Sequence, residues 1–127
     1  MNNPFSLEGK TILVTGASSG SGRAIAIACS QMGAKLVING RDEERLKETL
    51  NALEGEGHTS LIADVAQQDD LNRLVEQCPK INGCALCAGI IDWKPVKFID
   101  RTTLENIINV NEIAPILLIA SLMKKKR

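Results

Sequence analysis

Four short β-branched runs, each followed by a longer stretch of helical period, leave this chain few folds to adopt. Thr11 to Thr15 (TILVT), Lys35 to Asn39 (KLVIN), Thr59 to Ala63 (TSLIA) and Gly83 to Cys87 (GCALC) are short and largely apolar, as expected of strands covered on both faces. Gly22 to Met32 reads as an alanine-rich helix stopped by Gly33 at C′. Asp42 is placed to N-cap a second helix, with Leu46, Leu50 and Leu53 on one face and Gly55 and Gly57 at its end. Leu71, Leu74, Val75 and Cys78 mark a third helix, followed by Pro79. A last helix is predicted from Thr103 to about Lys125, carrying Leu104, Ile107 and Ile108 and then the apolar run from Ile113. Pro115 lies inside it and should bend it or shift its start. Strand centres recur about every 24 residues, the spacing of β-α-β units. Right-handed crossovers then predict a Rossmann-type, doubly wound parallel α/β sheet, for which strand order 3-2-1-4 is expected.

At 127 residues the chain suits one modest domain. Its 15 Lys and Arg balance 15 Asp and Glu, and the only basic run is Lys124 to Arg127, so a nucleic-acid partner is disfavoured. Met1 to Lys10 has no apolar signal core. The longest apolar stretch, the 11 residues from Ile113 to Met123, is broken by Ser121 and falls short of the about 20 a membrane span needs. The expectation is a soluble cytoplasmic protein without a membrane partner. Its four cysteines then read as reduced thiols. Cys84 and Cys87 form a C-x-x-C, but in an apolar strand with no second pair and no nearby His, which points to a buried structural role.

The chemistry is concentrated between the first strand and the first helix, where residues 15–22 read Thr-Gly-Ala-Ser-Ser-Gly-Ser-Gly. A dinucleotide pyrophosphate needs a tight turn, a close backbone approach and the open N–H groups of a helix start. Glycines supply the first two, and Ser18 and Ser19 add hydroxyl donors. Small residues in the following helix, Ala24, Ala26 and Ala28, permit close packing on the sheet. The second strand ends in Asn39-Gly40-Arg41. An acid there would bond the ribose 2′-hydroxyl of NAD, whereas Arg41 offers a fork to the 2′-phosphate of NADP. Asp42 is better explained as a helix cap, so NADP(H) is favoured over NAD(H).

Other residues carry less. His58 sits in a Gly-rich turn without a partner acid, Trp93 and Pro95 follow the fourth strand at the edge where ligands enter, and Asp69 and Asp70 fit the dipole of the third helix start.

With its G-x-x-x-G-x-G spacing, the loop resembles the first turn of the short-chain dehydrogenase/reductase family, in particular its 3-oxoacyl-[acyl-carrier-protein] reductase-like members. The likeness runs from Leu7 onward through Gly9-Lys10, Gly40-Arg41-Asp42, Asp64-Val65, Ala88-Gly89 and Asn109-Val110-Asn111. It implies that Gly16, Ser18, Ser19, Ser21 and Gly22 border the pyrophosphate and nicotinamide ribose. Asp64 would bond the adenine amino group beside the Val65 backbone, and Cys87, Ala88 and Gly89 would approach the adenosine ribose by main chain. Asn111 matches the catalytic asparagine that supports the active-site water and lysine. Ser21 stands where the family has Ile, and Leu86-Cys87 stand where it has Asn-Asn, so side-chain bonds tying the sheet at that point are expected to be lost.

The family interconverts carbonyls and alcohols by hydride transfer on small-molecule substrates, using a Ser and a Tyr-x-x-x-Lys pair. This chain has no tyrosine. Residues 1–127 therefore read as the N-terminal portion of a single dinucleotide-binding domain whose catalytic half is absent. A non-catalytic nucleotide-binding module and a non-functional truncated fragment are the alternatives. The resemblance also implies homo-oligomers through the last helix, whose Ile113, Ile116, Leu117 and Ile119 would otherwise be exposed.

Overall fold

The computed structural model describes residues 3–90 and 93–127. Its four parallel strands, β1 (Thr11–Thr15), β2 (Lys35–Gly40), β3 (Thr59–Ile62) and β4 (Gly83–Leu86), lie in the order β3-β2-β1-β4, as the sequence predicts. The register sets Leu13 beside both Val37 and Cys84, and Asn39 beside Leu61. Alternation along each strand builds two cores. Val14, Leu36 and Ile38 face one side and meet Ala26 of α1 (Gly20–Gln31) and Leu46 of α2 (Glu43–Ala52). Leu13 and Val37 face the other, against Leu71, Leu74 and Val75 of α3 (Gln68–Gln77) and Leu118 and Leu122 of α5 (Ala114–Lys124). This is an α/β Rossmann-like architecture with helices on both faces.

Helix α1 corrects one reading. Ala24 and Ala28 are exposed, and the sheet-facing stripe is Gly22, Ala26 and Ser30. At 3.6 residues per turn, positions two apart point to nearly opposite sides, so three alternating alanines cannot share a face. The helix also starts two residues earlier than Gly22 and ends before Gly33, whose φ of +96° carries the chain out.

The last helical rod starts at Arg101, because Asp100 accepts a 2.8 Å bond from the Thr103 amide and caps α4 (Arg101–Ile108). A π turn at Asn109–Ile113 joins α4 to α5. Pro115 has no N–H for an α-type bond to the Asn111 carbonyl, and the wider turn just before it absorbs that loss. Together Arg101–Lys124 form 24 continuous helical residues, long and apolar enough to cross a membrane by length and composition. The 11-residue run understates this length, since it omits α4. One side of the rod docks on the sheet through Ala114, Leu118 and Leu122. The expected exposure of the other side is present: Ile116 is 68% exposed, with Ile113, Leu117 and Ile119 also open.

Candidate functional site

The carboxyl ends of the four strands open into a cleft of about 670 Å³, a size that suits a nucleotide-sized ligand. Its floor is the turn after β1. Gly16 has φ +63°, and a Cβ there would lie 2.6 Å from the Ala88 amide nitrogen. A Cβ on Gly22 would run into the Gly16 carbonyl oxygen, and one on Gly40 into the Ser18 hydroxyl. The three glycines thus hold β1, β2, β4 and the start of α1 in mutual contact. Helices α2 and α4 are capped by the Asp42 and Asp100 carboxylates, whereas Ser19, the N-cap of α1, makes no side-chain cap bond and no acid occupies that first turn. The α1 start therefore presents its amides and positive dipole end toward the cleft.

All eleven residues read from the sequence as cofactor-binding line this one cleft. Gly16, Ser18, Ser19, Ser21 and Gly22 come from the β1–α1 turn, and Arg41 follows β2. Asp64 and Val65 follow β3, and Cys87, Ala88 and Gly89 follow β4. The Ser18 hydroxyl is buried and makes no hydrogen bond within the protein. Asp64 is held from two sides: its amide donates to Asp70 Oδ2 at 2.7 Å, and its Oδ1 accepts from the Ala66 amide at 3.0 Å. The amides of Cys87 and Ala88 turn inward to Thr15 Oγ1, at 3.1 and 3.3 Å. Their carbonyls are what that segment can offer a ligand.

Among the described residues, no hydrogen bond from the side chains of Leu86 or Cys87 ties the sheet here, and the Thr15 bonds hold the segment through its backbone instead. A single hydroxyl on β1 ties down the segment where Leu86-Cys87 replace the family's asparagines. Asn111 lies behind the cleft wall formed by Ile90 and Val110. Its Oδ1 accepts from the Ile90 amide at 2.8 Å and its Nδ2 donates to the Ile90 carbonyl at 2.9 Å, so its amide clasps the chain leaving β4.

Sequence reading missed several residues of the site. Asn39 is buried, and its Nδ2 donates to the Leu61 and Ala63 carbonyls at 3.0 and 3.1 Å. Thr49 Oγ1 donates to the Ala17 carbonyl at 2.8 Å, and Asn109 Nδ2 to that of Ala66 at 3.1 Å. Polar residues within otherwise apolar patterns were the available signal. Arg45, one helical turn after Asp42, also lines the cleft.

His58 and the cysteines are structural. His58 Nδ1 accepts from the Leu36 amide at 3.0 Å while Nε2 lies 2.6 Å from the Glu54 carbonyl, which requires the proton on Nε2. Cys84, in β4, packs against one core and Cys87, just past the end of that strand, against the other. All four thiols are free, and burial pushes the Cys84 thiol up to about 11. Trp93 is 90% exposed.

A parallel sheet in this order, with a glycine-floored cleft at its carboxyl edge, defines an α/β protein of the Rossmann-like class. More narrowly, the family model for short chain dehydrogenases matches residues 10–127, and the chain belongs to that family. It is 33% identical over 120 residues to the 3-oxoacyl-[acyl-carrier-protein] reductase FabG of Rickettsia prowazekii (strain Madrid E), covering 94% of this chain and 49% of that protein. It is 37% identical over 121 residues to the short chain dehydrogenase/reductase dpfgG of Gibberella zeae, covering 89% and 44%. A solved short chain dehydrogenase/reductase family protein superposes with a TM-score of 0.86 at 30% identity, over 94% of this chain and 50% of that one. The chain spans about half the length of the curated relatives it matches. Members of the family are oxidoreductases that use NAD(P) on small-molecule substrates and often form oligomers.

Proposed function

We propose that these 127 residues form the cofactor-binding part of a short-chain oxidoreductase that interconverts a carbonyl and an alcohol, with NADP(H) favoured over NAD(H). The observation that carries this reading is the buried Ser18 hydroxyl, left without a protein partner beside a cleft in which Gly16, Gly22 and Gly40 leave no room for a Cβ. An orphaned buried hydroxyl costs free energy; a ligand oxygen at that position would remove the cost. The residues therefore fit the group. Gly16, Ser19, Ser21 and Gly22 would take the pyrophosphate at the start of α1; Ser18, grouped with them by the resemblance, abuts Gly40 at the end of β2, so that it and Arg41 would hold the adenosine ribose and its 2′-phosphate. Asp64 and Val65 would face the adenine, with Cys87, Ala88 and Gly89 supplying carbonyls along the ribose. The bound nicotinamide would supply the hydride.

Asn111 acts here as a positioning residue. Its amide clasp on Ile90 fixes the wall of the cleft where the substrate carbonyl would enter. No tyrosine is available to donate a proton to that carbonyl oxygen, so catalysis needs residues from beyond these 127. The 3-oxoacyl thioesters named by the Rickettsia relative are the substrate class we favour, in a protein that pairs with itself through the exposed side of the last helix.

A second reading is a module that binds dinucleotide without catalysis. Titration calorimetry with NADP⁺, alongside an assay of NADPH oxidation in the presence of a 3-oxoacyl thioester, separates the two. The 127 residues alone are expected to bind and not to turn over. Absence of binding refutes both readings, and turnover by this chain alone refutes the assignment of proton transfer to other residues.

A further inference from the structure

Arg45 carries no sequence signal of its own, yet it lines the same cleft as Ser18, Arg41 and Asp42. Asp42 is engaged with Arg45 twice. Its Oδ1 accepts the Arg45 amide at 3.1 Å, which caps α2, and its Oδ2 lies 3.7 Å from Arg45 Nε. Read alone, an aspartate just past β2 would take a ribose 2′-hydroxyl and repel a 2′-phosphate. Paired with Arg45, its charge is countered at close range. The pair is made through Nε, so the Nη1–Nη2 end of the guanidinium is the part that can close on a second anion. Arg41 adds the charge that leaves this set net positive.

We propose that Arg45 is a specificity-determining residue: it masks Asp42 and joins Arg41 in holding the 2′-phosphate of the cofactor. This inference rests on the NADP(H) reading above. It separates two cations by role. Arg41 acts on the phosphate alone, whereas Arg45 acts on the phosphate and on an acid that otherwise selects the unphosphorylated dinucleotide.

The test is a double-mutant cycle on the 127-residue chain, with NADP⁺ and NAD⁺ affinities measured by calorimetry at one fixed salt concentration. Asp42→Asn is the useful partner, because asparagine caps a helix about as well as aspartate. Arg45→Ala is expected to weaken NADP⁺ binding about tenfold, the size of one lost charge-assisted bond, while NAD⁺ binding holds or tightens. Asp42→Asn is expected to change the NADP⁺/NAD⁺ ratio little in the parent chain and to raise it clearly in the Arg45→Ala background. Arg45→Lys, which keeps a cation, is expected to retain part of the preference. Equal weakening of both dinucleotides by Arg45→Ala at an unchanged melting temperature overturns the proposal, as does an Asp42→Asn effect of the same size in both backgrounds. A parent chain that binds NAD⁺ at least as tightly as NADP⁺ also overturns it. Failure to bind either dinucleotide is a different result: it removes the cofactor reading itself.

Discussion

Gly16 and Gly20 offer a controlled comparison, because they share a backbone conformation and differ in what surrounds them. Their φ values are +63° and +59°. A Cβ on Gly20 meets nothing within 4 Å, whereas a Cβ on Gly16 would lie 2.6 Å from the Ala88 nitrogen and 2.7 Å from the Cys87 carbonyl carbon. Placing alanine in a left-handed conformation costs about 1–2 kcal/mol at either site. At Gly16 the added carbon also sits roughly 1 Å inside ordinary van der Waals contact with backbone, and forced overpacking of this kind adds about 1–3 kcal/mol. Gly20→Ala should therefore cost about 1–2 kcal/mol, and Gly16→Ala about 2–5 kcal/mol. The second figure is a large part of the whole stability of a domain this size, typically about 5–15 kcal/mol. Urea unfolding followed by circular dichroism reads both; the single tryptophan, Trp93, is too exposed to report on the core. Equal destabilisation of the two variants would refute the close approach of β1 and β4 at the cleft floor.

Three further outcomes follow from the same accounting. Asn39→Leu leaves the Leu61 and Ala63 carbonyls without their donor, and should destabilise by about 2–4 kcal/mol in urea unfolding; a loss below about 0.5 kcal/mol, the scale of a neutral surface change, would remove Asn39 from its role. The amide and hydroxyl of Thr103 hold the Asp100 carboxyl below its ordinary value. Its cap therefore stabilises the last helix above the unfolded-state pKa near 4, and that contribution is lost as pH falls through the lower folded-state value. Asp100→Asn should keep the cap and flatten the pH dependence of melting between about pH 5 and 2, and an unchanged slope speaks against it. With its thiol near 11, Cys84 should resist iodoacetamide at pH 8 until the chain unfolds, as mass spectrometry of the labelled peptides can show.

Local signals in this chain were strong where one residue type had one physical use. Gly33, Asp42 and the Leu71, Leu74, Val75, Cys78 stripe act where their sequence context places them. The strand runs also showed the parallel sheet, because buried apolar strands separated by helical crossovers leave little choice; the order among the doubly wound arrangements is not written in them. Errors came where a pattern had to be projected onto a face or an end. The alanines of α1 were grouped by composition and not by angle. The start of the last rod was set two residues late, since Asp100 lies before the apolar period begins and only its bond to Thr103 shows it to be a cap.

The parts of the site that remained illegible share one cause: each is a side chain that satisfies backbone groups distant in sequence. Thr15 takes the Cys87 and Ala88 amides, Asn39 the Leu61 and Ala63 carbonyls, Thr49 the Ala17 carbonyl and Asn109 the Ala66 carbonyl. The chain leaving β1, β3 and β4 is secured in each case by such a group, Asn39 serving β3 and Asn111 adding a second hold on β4 at Ile90. Loops that line a binding site must leave the sheet, and so forfeit ladder partners. Threonine and asparagine restore those partners without adding charge, and in doing so fix the loops in the positions a ligand requires. The Ser18 hydroxyl breaks this rule. Among the described residues it is the one buried side-chain polar atom without a partner, and its residue lines the same cleft as Arg41, Asp42 and Arg45. The dinucleotide proposed above would set an oxygen against that hydroxyl and so extend the same rule to the ligand.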